Sequence, residues 1–541
     1  MPPLLNRAER TNYRETSLHA DVVAFLRRLR RDNPRVRVRS MGTSAEGRDM
    51  PVVVLSHRGA FTTGAARRLG IPILMINCNI HAGEVEGKEA MLALMRELTL
   101  EGLEPDLLDR LTLVVVPILN PDGNDRISTE NRKLDLATLE GQIGPPGGVG
   151  TRNTGEGWNL NRDYMKQEAV ESNHLSRLYG QWWPHVFVDC HTTDGSIHAY
   201  DLTFDTAHLS MSGHPGPIEY ARTELLPSVA ESVQASIGRR GFFYGNYRDQ
   251  DDPASGWETY PGLPRFGSHY RGLTGRMDVL LETYSYIDFP ARVETIRAYL
   301  LEIMKYVAAH PEEIMATVDQ AGVDTIRRGR NPQPDDLVGI NYGAARRAAD
   351  GSLEFDWPVH YLEEAEILAY DAPSIRARRI PGRRLTAYRT PHYARFVPTV
   401  AVPRPYAYLI RAPEIGPKLL QHNIEVQALT EDVDLEIEAY VALATEKTHS
   451  PDICTGIERF ETVLTVRKER RRVSFAAGDL VVFAGQRLGN LLIYLLEPES
   501  DDGLARWEYF DRHIELGQPF PVYRIPRPMR LATHHYTPPS Q

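Results

Sequence analysis

Residues 71–98 read IPILMINCNIHAGEVEGKEAMLALMREL. The first part is a short apolar run typical of a buried strand, and the last part has apolar positions at helical spacing. His81 and Glu84 stand three residues apart at the turn between them. Such a turn lets the imidazole and the carboxylate face one ion. Zinc favours this pair of ligand types, and a catalytic zinc takes three protein ligands plus an open position.

A third ligand is therefore required, and His191 is the candidate. The HxxE pattern alone arises by chance in a chain with 18 histidines, and its plain alternative is a surface pair at the start of an amphipathic helix. His191 ends another apolar run, HVFVDCHTTDG, so it would project from the carboxyl end of a strand, where open α/β sheets bind ligands. The alternative for His191 is a loop histidine that caps Asp194 or a neighbouring turn.

Strand-like runs alternate with helical patterns over the first three hundred residues or so. The segment Asp21–Asp32 has helical spacing of its apolar residues. Continuous hydrophobic runs separated by helices indicate a sheet that is covered on both faces. We therefore predict an α/β fold with a mixed, mostly buried sheet flanked by helices. The runs are Met50–Leu55, Pro72–Ile80, Leu111–Leu119, His185–Cys190 and Met277–Leu281.

The length of 541 residues exceeds what one hydrophobic core usually supports, so more than one domain is expected. Arg327–Asp336 is rich in charge, Pro and Asn, as a domain boundary often is. We predict a catalytic domain over 1–310, a linker over 311–345 and a smaller β-rich domain of unassigned role over 346–541. The strand-like runs of the last part are Val400–Ile410, Val433–Ala444, Val473–Ala484 and Leu491–Leu496.

Composition excludes several classes of function. A formal net charge of −10 argues against a general nucleic-acid binder. Three cysteines, Cys78, Cys190 and Cys454, do not form a disulfide framework, and we interpret the first two as small core residues. The first residues lack the apolar core of a signal peptide, and no run reaches the roughly 18 apolar residues of a membrane helix. We expect a cytoplasmic protein without nucleic-acid or membrane partners.

Further motifs follow in a fixed order along the chain. This order resembles that of the zinc metallocarboxypeptidases of the carboxypeptidase A type, over about residues 20–305, and the chain looks like a divergent bacterial-type member with an extra C-terminal region. The motifs are the HxxE at His81, Asn120-Pro121-Asp122-Gly123, the basic pair Arg132-Lys133, Gly157-Trp158-Asn159-Leu160-Asn161-Arg162, the strand-terminal His191, and Glu282 in VLLETYSY.

The resemblance implies a role for each matched residue. Arg132 would polarise the scissile carbonyl, and Glu282 would be the general base; a plain loop arginine and a strand-end charge are the alternatives. A carboxylate within reach can take a proton from water, and a guanidinium offers charge-assisted bonds to an oxyanion or a carboxylate. One zinc ion would be bound by His81, Glu84 and His191, and the terminal carboxylate of the substrate would be bound by Asn161 and Arg162.

The chain also departs from the family pattern. Asn159 stands where the family commonly has an Asp that orients a zinc-bound histidine. The turn after His191 is TTDG, without the usual aromatic residue. The substrate-capping tyrosine of the family has three candidates, Tyr260, Tyr270 and Tyr284, of which we choose Tyr270.

The expected activity is hydrolysis of an amide bond next to a free carboxylate of a peptide. A second hypothesis keeps the zinc site but makes the protein an amidase or deacylase of N-acyl amino acids or modified peptides. A third is a non-catalytic binding protein, which would not need the complete set of ligands, Arg132 and Glu282. Serine hydrolysis is disfavoured because no GxSxG elbow occurs.

Overall fold

The computed structural model of the chain describes residues 3–135, 137–347, 353–356, 359–360, 363–370, 385–450 and 458–538. Its first half contains an eight-stranded mixed sheet in the order β1-β2-β4-β3-β5-β10-β6-β7, while β8 and β9 belong to a separate sheet. The strands are β1 (Val36–Thr43), β2 (Asp49–Leu55), β3 (Ile73–Asn77), β4 (Thr112–Val116), β5 (Val186–Thr193), β6 (Leu202–Asp205), β7 (Gly241–Phe243), β8 (Asn246–Asp249), β9 (Asp252–Glu258) and β10 (Met277–Tyr284).

The centre of this sheet is parallel and buried on both faces. Strand β3 pairs in parallel with β4 and β5, and β5 pairs in parallel with β10. Along β3, Ile73 and Met75 pack into one hydrophobic cluster, and Leu74 and Ile76 pack into another. Alternate side chains of a strand point to opposite faces, so a continuous apolar run fits a sheet covered on both sides. The predicted α/β fold with a mixed, buried sheet is confirmed.

Helices cover the two faces of the sheet. The predicted helix over Asp21–Asp32 is confirmed as part of α2. The helices of this half are α1 (Arg7–Arg10), α2 (His19–Asp32), α3 (Thr63–Leu69), α4 (Glu86–Arg96), α5 (Leu107–Arg110), α6 (Pro121–Asp125), α7 (Val170–Trp182), α8 (Pro215–Tyr220), α9 (Leu226–Ile237), α10 (Gly267–Leu273), α11 (Phe289–Ala309) and α12 (Pro311–Arg330).

The second half is rich in strands, as predicted, and contains a seven-stranded sheet in the order β22-β21-β24-β19-β23-β20-β25. Its elements are β11 (Leu337–Asn341), β12 (Ala344–Arg347), β13 (Leu353–Asp356), β14 (Val359–His360), β15 (Glu363–Tyr370), β16 (Leu385–Tyr393), β17 (Arg395–Phe396), β18 (Val400–Pro403), β19 (Ala407–Ile410), α13 (Ile415–Gln421), β20 (Gln427–Leu429), β21 (Val433–His449), β22 (Phe460–Phe475), β23 (Leu480–Phe483), α14 (Gly489–Leu496), β24 (Pro519–Ile525) and β25 (Thr533–His535).

One predicted strand is wrong. The run Leu491–Leu496 lies in helix α14, whose eight residues are all buried. An unbroken apolar run has no polar positions that would distinguish period 2 from period 3.6, so periodicity cannot separate a buried strand from a buried helix. The leucines of this run favour the helix.

The two halves share a hydrophobic core. Trp183 and Phe187 of the first half and Tyr408 and Leu492 of the second belong to one buried cluster. Part of the predicted linker is helix α12, which buries Ile314 and Val318 against the first half. The division into domains at 310 and 346 stays a prediction. Within the described ranges, no helix combines the length and the apolar character of a membrane span.

The cysteines lie in the core where the structure describes them. Cys78 and Cys190 are both free and buried. A Cβ placed on Gly87 of α4 would overlap with Cβ of Cys190, so the glycine lets the helix approach the sheet closely at this point. The interpretation as small core residues is confirmed for these two. Cys454 lies outside the described residues.

Candidate metal centre and cleft

The predicted metal ligands meet at the carboxyl ends of two neighbouring strands. His81 and Glu84 lie in the turn between β3 and α4, and His191 lies near the end of β5. Nδ1 of His81 is 3.1 Å from Oε1 of Glu84, and Nδ1 of His191 is 3.1 Å from Oε2 of the same carboxylate. All three residues are buried, and their ligand atoms lie within 4.8 Å of one another. The structure therefore brings the predicted ligand set together.

The environment of His81 fixes its tautomer. The backbone N–H of Asn161 donates to Oδ1 of Asn159 at 3.2 Å, which sets the orientation of the Asn159 amide. The same oxygen lies 3.1 Å from Nε2 of His81, so Nε2 carries the proton and donates it. Burial and the charge of Arg152 lower the pKa of His81 to about 3, so the ring is neutral. Nδ1 then directs a lone pair towards the Glu84 carboxylate.

Two electron-pair donors facing each other at hydrogen-bond distance require a positive charge, which Arg132 and Arg152 supply beside them and which a cation bound between them would supply directly. A zinc ion with nitrogen and oxygen ligands meets this requirement, and the neutral imidazole with an acceptor on its second nitrogen is the usual form of a zinc ligand. The substitution of an aspartate by Asn159 keeps the acceptor and loses only its charge. The residues present therefore fit a zinc ion.

The second histidine, His191, lies close to more carboxylates than His81 does. Nε2 of His191 is 3.6 Å from Oδ1 of Asp189, and Asp189 is bound by Asn77 and Arg271 at 3.0 and 3.2 Å. Burial alone would lower the pKa of His191, but the charges of Asp189 and Glu282 outweigh burial and raise this pKa to about 10. A protonated His191 donates to Glu84, and a metal ion that binds here replaces that proton.

Arg132 reaches the centre of the site and is held on every side. Its Nη1 donates to Oε1 of Glu84 at 3.0 Å, Nη2 donates to the Thr192 carbonyl at 2.9 Å, and Nε donates to Oε1 of Gln142 at 2.7 Å. A Cβ on Gly83 would lie 2.7 Å from Cδ of Arg132, so glycine at this position of the HAGE turn leaves room for the arginine. The predicted catalytic arginine thus lies beside the predicted metal ligands.

Arg152 is a second arginine at the site, and it was not among the predicted site residues. Its Nη1 lies 3.2 Å from Nδ1 of His81 and 3.3 Å from Oε1 of Glu84. The side chain is 41% exposed at the mouth of the cleft. It belongs to an irregular segment between the RK pair and the LNR motif, and no spacing or motif in that segment marks it.

Glu282 lies next to the predicted metal ligands, because β10 pairs in parallel with β5. Its Cα is the register partner of His191, so both side chains emerge at the same edge of the sheet. Burial raises the pKa of Glu282 to about 8; the charge of His191 opposes this rise, and that of Glu84 adds to it. A carboxylate with a pKa near neutrality is well matched to accept and return a proton.

These residues line one cleft of about 470 Å³. Oδ1 of Asn161 accepts from the backbone N–H of Gly267 at 2.9 Å, and the Arg162 guanidinium lies 4.2 Å from the ring centre of Phe266. Both residues of the predicted carboxylate-binding pair are therefore positioned by the start of α10. The predicted site residues that line the cleft are His81, Glu84, Arg132, Asn161, Arg162 and Glu282.

Tyr270 is not brought to the cleft. Its hydroxyl lies 2.8 Å from Nδ1 of His422, and the side chain lines a separate apolar cavity beside Phe187. On α10, Ser268 faces the cleft, and Tyr270 is two residues and about 200° further around the helix. Among the other candidates, Tyr284 is buried and its hydroxyl donates to the Ser196 carbonyl, whereas Tyr260 lines the cleft.

The NPDG motif has a structural part in the site. Asn120 caps α6 by accepting from the Gly123 backbone N–H at 2.9 Å. Asp122 is buried and accepts from the Ser44 hydroxyl at 2.6 Å and from Arg48 at 2.7 Å. Asn120 also donates to the Arg152 carbonyl at 3.4 Å, and the Gly123 carbonyl accepts from the Thr151 backbone N–H at 2.9 Å, so the motif positions the segment that carries Arg152 without lining the cleft.

The second half of the chain contacts the residues around the predicted carboxylate-binding pair, Asn161 and Arg162. Nζ of Lys166 donates to the Arg162 carbonyl at 2.5 Å and lies 4.2 Å from the Trp507 ring. Arg265, on the other wall of the cleft, donates to Oδ1 of Asp502 at 3.0 Å and to Glu461 at 2.7 Å. The strand-rich second half of the chain, to which the sequence assigned no role, therefore contacts residues that line or adjoin the cleft.

Residues 22–187 match the family model described as zinc carboxypeptidase. Over this region the chain is similar to that family of metallopeptidases. The match contains His81, Glu84, Arg132, Asn161 and Arg162 and ends before His191 and Glu282. The matched region thus contributes one edge of the candidate site, and the rest of β5 together with β10 completes it.

The chain is also similar to individual proteins that are described as carboxypeptidases. Carboxypeptidase D of Anas platyrhynchos is 29% identical over 153 residues, which are 27% of this chain and 10% of the relative. The chain thus spans about a tenth of the length of that relative. A metallo-carboxypeptidase of Burkholderia cenocepacia is 16% identical over 54% of this chain and 69% of its own, with a TM-score of 0.39. One from Pseudomonas aeruginosa, in complex with (2-guanidinoethylmercapto)succinic acid, is 15% identical over 55% and 68%, with a TM-score of 0.37.

Proposed function

We propose that the protein is a zinc-dependent carboxypeptidase that hydrolyses the amide bond next to a free C-terminal carboxylate. The observation that carries this proposal is the single cleft in which a neutral His81 faces Glu84, with Glu282 on one side and Asn161 and Arg162 on another. Within the described residues, His81, Glu84 and His191 form the one cluster close enough to hold a metal ion, so one zinc per chain is proposed.

Glu282 and Arg132 would have separate roles in the reaction. Zinc bound at this site would polarise the scissile carbonyl and lower the pKa of water. Glu282 takes a proton from the attacking water and returns it to the leaving amine, for which its raised pKa is suited. Arg132, held by Gln142 and Thr192, directs a guanidinium edge at the place where negative charge develops on the substrate oxygen.

Substrate selection would rest on the carboxylate-binding pair. Arg162 is kept in place by the Phe266 ring and can bind a carboxylate with two parallel hydrogen bonds. A terminal carboxylate anchored there would place the adjoining amide beside Glu282 and Arg132. N-acyl amino acids also have such a carboxylate, so a deacylase remains the second candidate function. A cytoplasmic location stays a prediction from the sequence.

C-terminal amidation of a peptide substrate is expected to reduce kcat/KM by about tenfold to a hundredfold. Hydrogen bonds to charged groups contribute about 1.5–3 kcal/mol, and amidation removes that charge. The measurement compares matched free-acid and amidated peptides by mass spectrometry, with an N-acyl amino acid series alongside.

The preference for the free acid should disappear in Arg162→Met and persist in Arg126→Met, which changes an arginine whose side chain is 47% exposed on the surface. Equal turnover of acid and amide by the unmodified protein would contradict the carboxypeptidase assignment. Faster turnover of N-acyl amino acids than of any peptide would favour the deacylase.

Asp502→Asn is expected to raise KM for the free-acid peptide several-fold and leave kcat nearly unchanged. Asp502 is expected to act as a positioning residue. It accepts a hydrogen bond from Arg265, which shortly precedes α10, and the first residue of α10 in turn donates to Asn161. A buried charge pair that loses one partner costs about 3–5 kcal/mol locally, so the wall should shift.

Steady-state kinetics with both peptides check this expectation, and Asp434→Asn, whose side chain is 53% exposed, is the matched control. A fall in kcat of equal size on the acid and the amide would show that Asp502 maintains the fold rather than the carboxylate-binding pair.

A further inference from the structure

A second pocket lies at the opposite end of the large sheet from the metal ligands. Its volume is about 560 Å³. His185 immediately precedes β5 and Arg276 immediately precedes β10, and both line the pocket. His185 and His191 are six positions apart along an extended chain, or about 20 Å. Helices α3 and α12 and the segment at Arg487 close the remaining sides, so both halves of the chain contribute walls.

The central feature of this pocket is a buried arginine. Arg276 is 5% exposed, and its Nε and Nη1 are buried without a hydrogen-bond acceptor among the described residues. No carboxylate of the described residues lies within ion-pair distance of its guanidinium, which instead packs 4.5 Å from the ring centre of Trp183. Burial lowers the pKa of Arg276 to about 10, so the group remains charged at neutral pH. A buried charge without a counter-ion costs several kcal/mol and calls for an explanation.

The surroundings add to the positive charge. Arg67 and Arg487 also line the pocket, and neither makes an ion pair within the described ranges. Asp319 is the one carboxylate among the residues that line it. Three guanidinium groups against one carboxylate leave a net positive pocket, in contrast to the net charge of −10 of the whole chain.

His185 contributes a neutral hydrogen-bond donor. Its Nδ1 accepts from the backbone N–H of Ile73 at 2.9 Å, so the proton of the neutral ring is on Nε2. Burial and the charge of Arg276 lower the pKa of His185 to about 3, so the ring does not compete with the arginines as a cation. Imidazole N–H and guanidinium groups together suit the oxygens of a carboxylate or a phosphate.

The rest of the wall is apolar. Trp183 forms one side, and helix α12 presents Met315, Val318, Val323 and Ile326 on the other. Val323 is 56% exposed, so this part of the apolar wall is open to solvent. An apolar wall next to a few converging polar groups is typical of a small-molecule site.

We propose that this pocket binds a small organic anion, with its carboxylate or phosphate at Arg276, Arg67 and Arg487 and its apolar body between Trp183 and α12. The site is separate from the metal ligands and does not depend on the proposed peptidase activity. It joins the sheet, α12 and the second half of the chain, so a bound anion would stabilise the arrangement of these parts.

The test is a titration of the whole zinc-loaded protein with benzoate and with phenyl phosphate at constant ionic strength, followed by tryptophan fluorescence. Both anions should change the emission of Trp183, and the neutral isostere benzamide should not. The signal should vanish in Trp183→Phe, which assigns it to this pocket rather than to the cleft. The tighter of the two anions identifies the preferred charged group.

Arg276→Met should weaken binding at least tenfold, and Arg67→Met should weaken it several-fold. Arg68→Met is the matched control, because Arg68 is exposed on the same helix as Arg67 and does not line the pocket. Without anion, Arg276→Met should have a Tm at or above that of the unmodified protein, because the substitution removes an unpaired buried charge. Unchanged affinity in both Arg276→Met and Arg67→Met, or no response of Trp183 to either anion, would overturn the proposal.

Discussion

Glu282→Gln is expected to reduce kcat on a free-acid peptide by about a thousandfold while zinc remains bound. General acid-base groups typically contribute 10²–10⁴-fold, and the amide of glutamine cannot accept and return a proton. The substitution preserves size, and Glu282 is not one of the three residues whose atoms form the metal cluster. Steady-state kinetics and metal analysis of the same preparation measure the two quantities together.

Asp194→Asn is the matched control for this result. Asp194 is the other carboxylate that lines the cleft outside the metal ligands, and its Oδ2 accepts from the Gly141 backbone N–H at 2.9 Å. We expect it to retain most of the activity. If Asp194→Asn loses turnover and Glu282→Gln keeps it, the general base has been assigned to the wrong carboxylate.

His191→Ala is expected to abolish turnover by a different route, through loss of the metal. Zinc sites with four protein ligands are stabilised by about 10–16 kcal/mol, so one ligand corresponds to roughly 3 kcal/mol and roughly a hundredfold in affinity. His191 lies beside both Glu84 and Asp189, and its removal leaves these two buried carboxylates with fewer partners. Competition with a chelating indicator dye measures the affinity.

The control for His191→Ala is His534→Ala, which removes an exposed histidine of β25. It should keep the zinc affinity and the activity of the unmodified protein. Zinc affinity that is unchanged in His191→Ala would mean that the ion is bound elsewhere. Activity that survives complete loss of zinc would exclude a metal-dependent mechanism.

The sequence was sufficient to predict the large sheet and the cluster of His81, Glu84 and His191, because both are encoded locally. Apolar runs bounded by helices identified β3 and β5, and the polar residues at their carboxyl ends follow from strand direction alone. Glu282 required the resemblance to a family, because nothing in VLLETYSY shows that β10 pairs with β5 in register with His191.

Features that depend on tertiary contacts could not be predicted. Arg152 lies in an irregular segment, and only the folded chain shows that it reaches Glu84. Tyr270 was chosen from a helical stretch whose orientation about its own axis is set by packing against His422, which is far away in the sequence. The strand predicted over Leu491–Leu496 was wrong for a local reason: a uniform apolar pattern has no period that would separate a strand from a helix.

The contacts of the second half with the cleft could likewise not be predicted from the sequence. Lys166 and Arg265 contact Trp507 and Asp502 across more than two hundred residues of chain, and no motif connects these positions. Their contacts link the strand-rich half to the carboxylate-binding pair. The same long-range packing, through Arg487 and α12, builds the pocket around Arg276.

We propose above that His81, Glu84 and His191 bind one catalytic zinc. The most direct measurement is the metal content of the purified protein by mass spectrometry after zinc supplementation and removal of loosely bound metal. We expect roughly one zinc per chain, which is lost together with peptidase activity on chelation and regained with it when zinc is added back. Less than about one zinc per several chains after supplementation would contradict it.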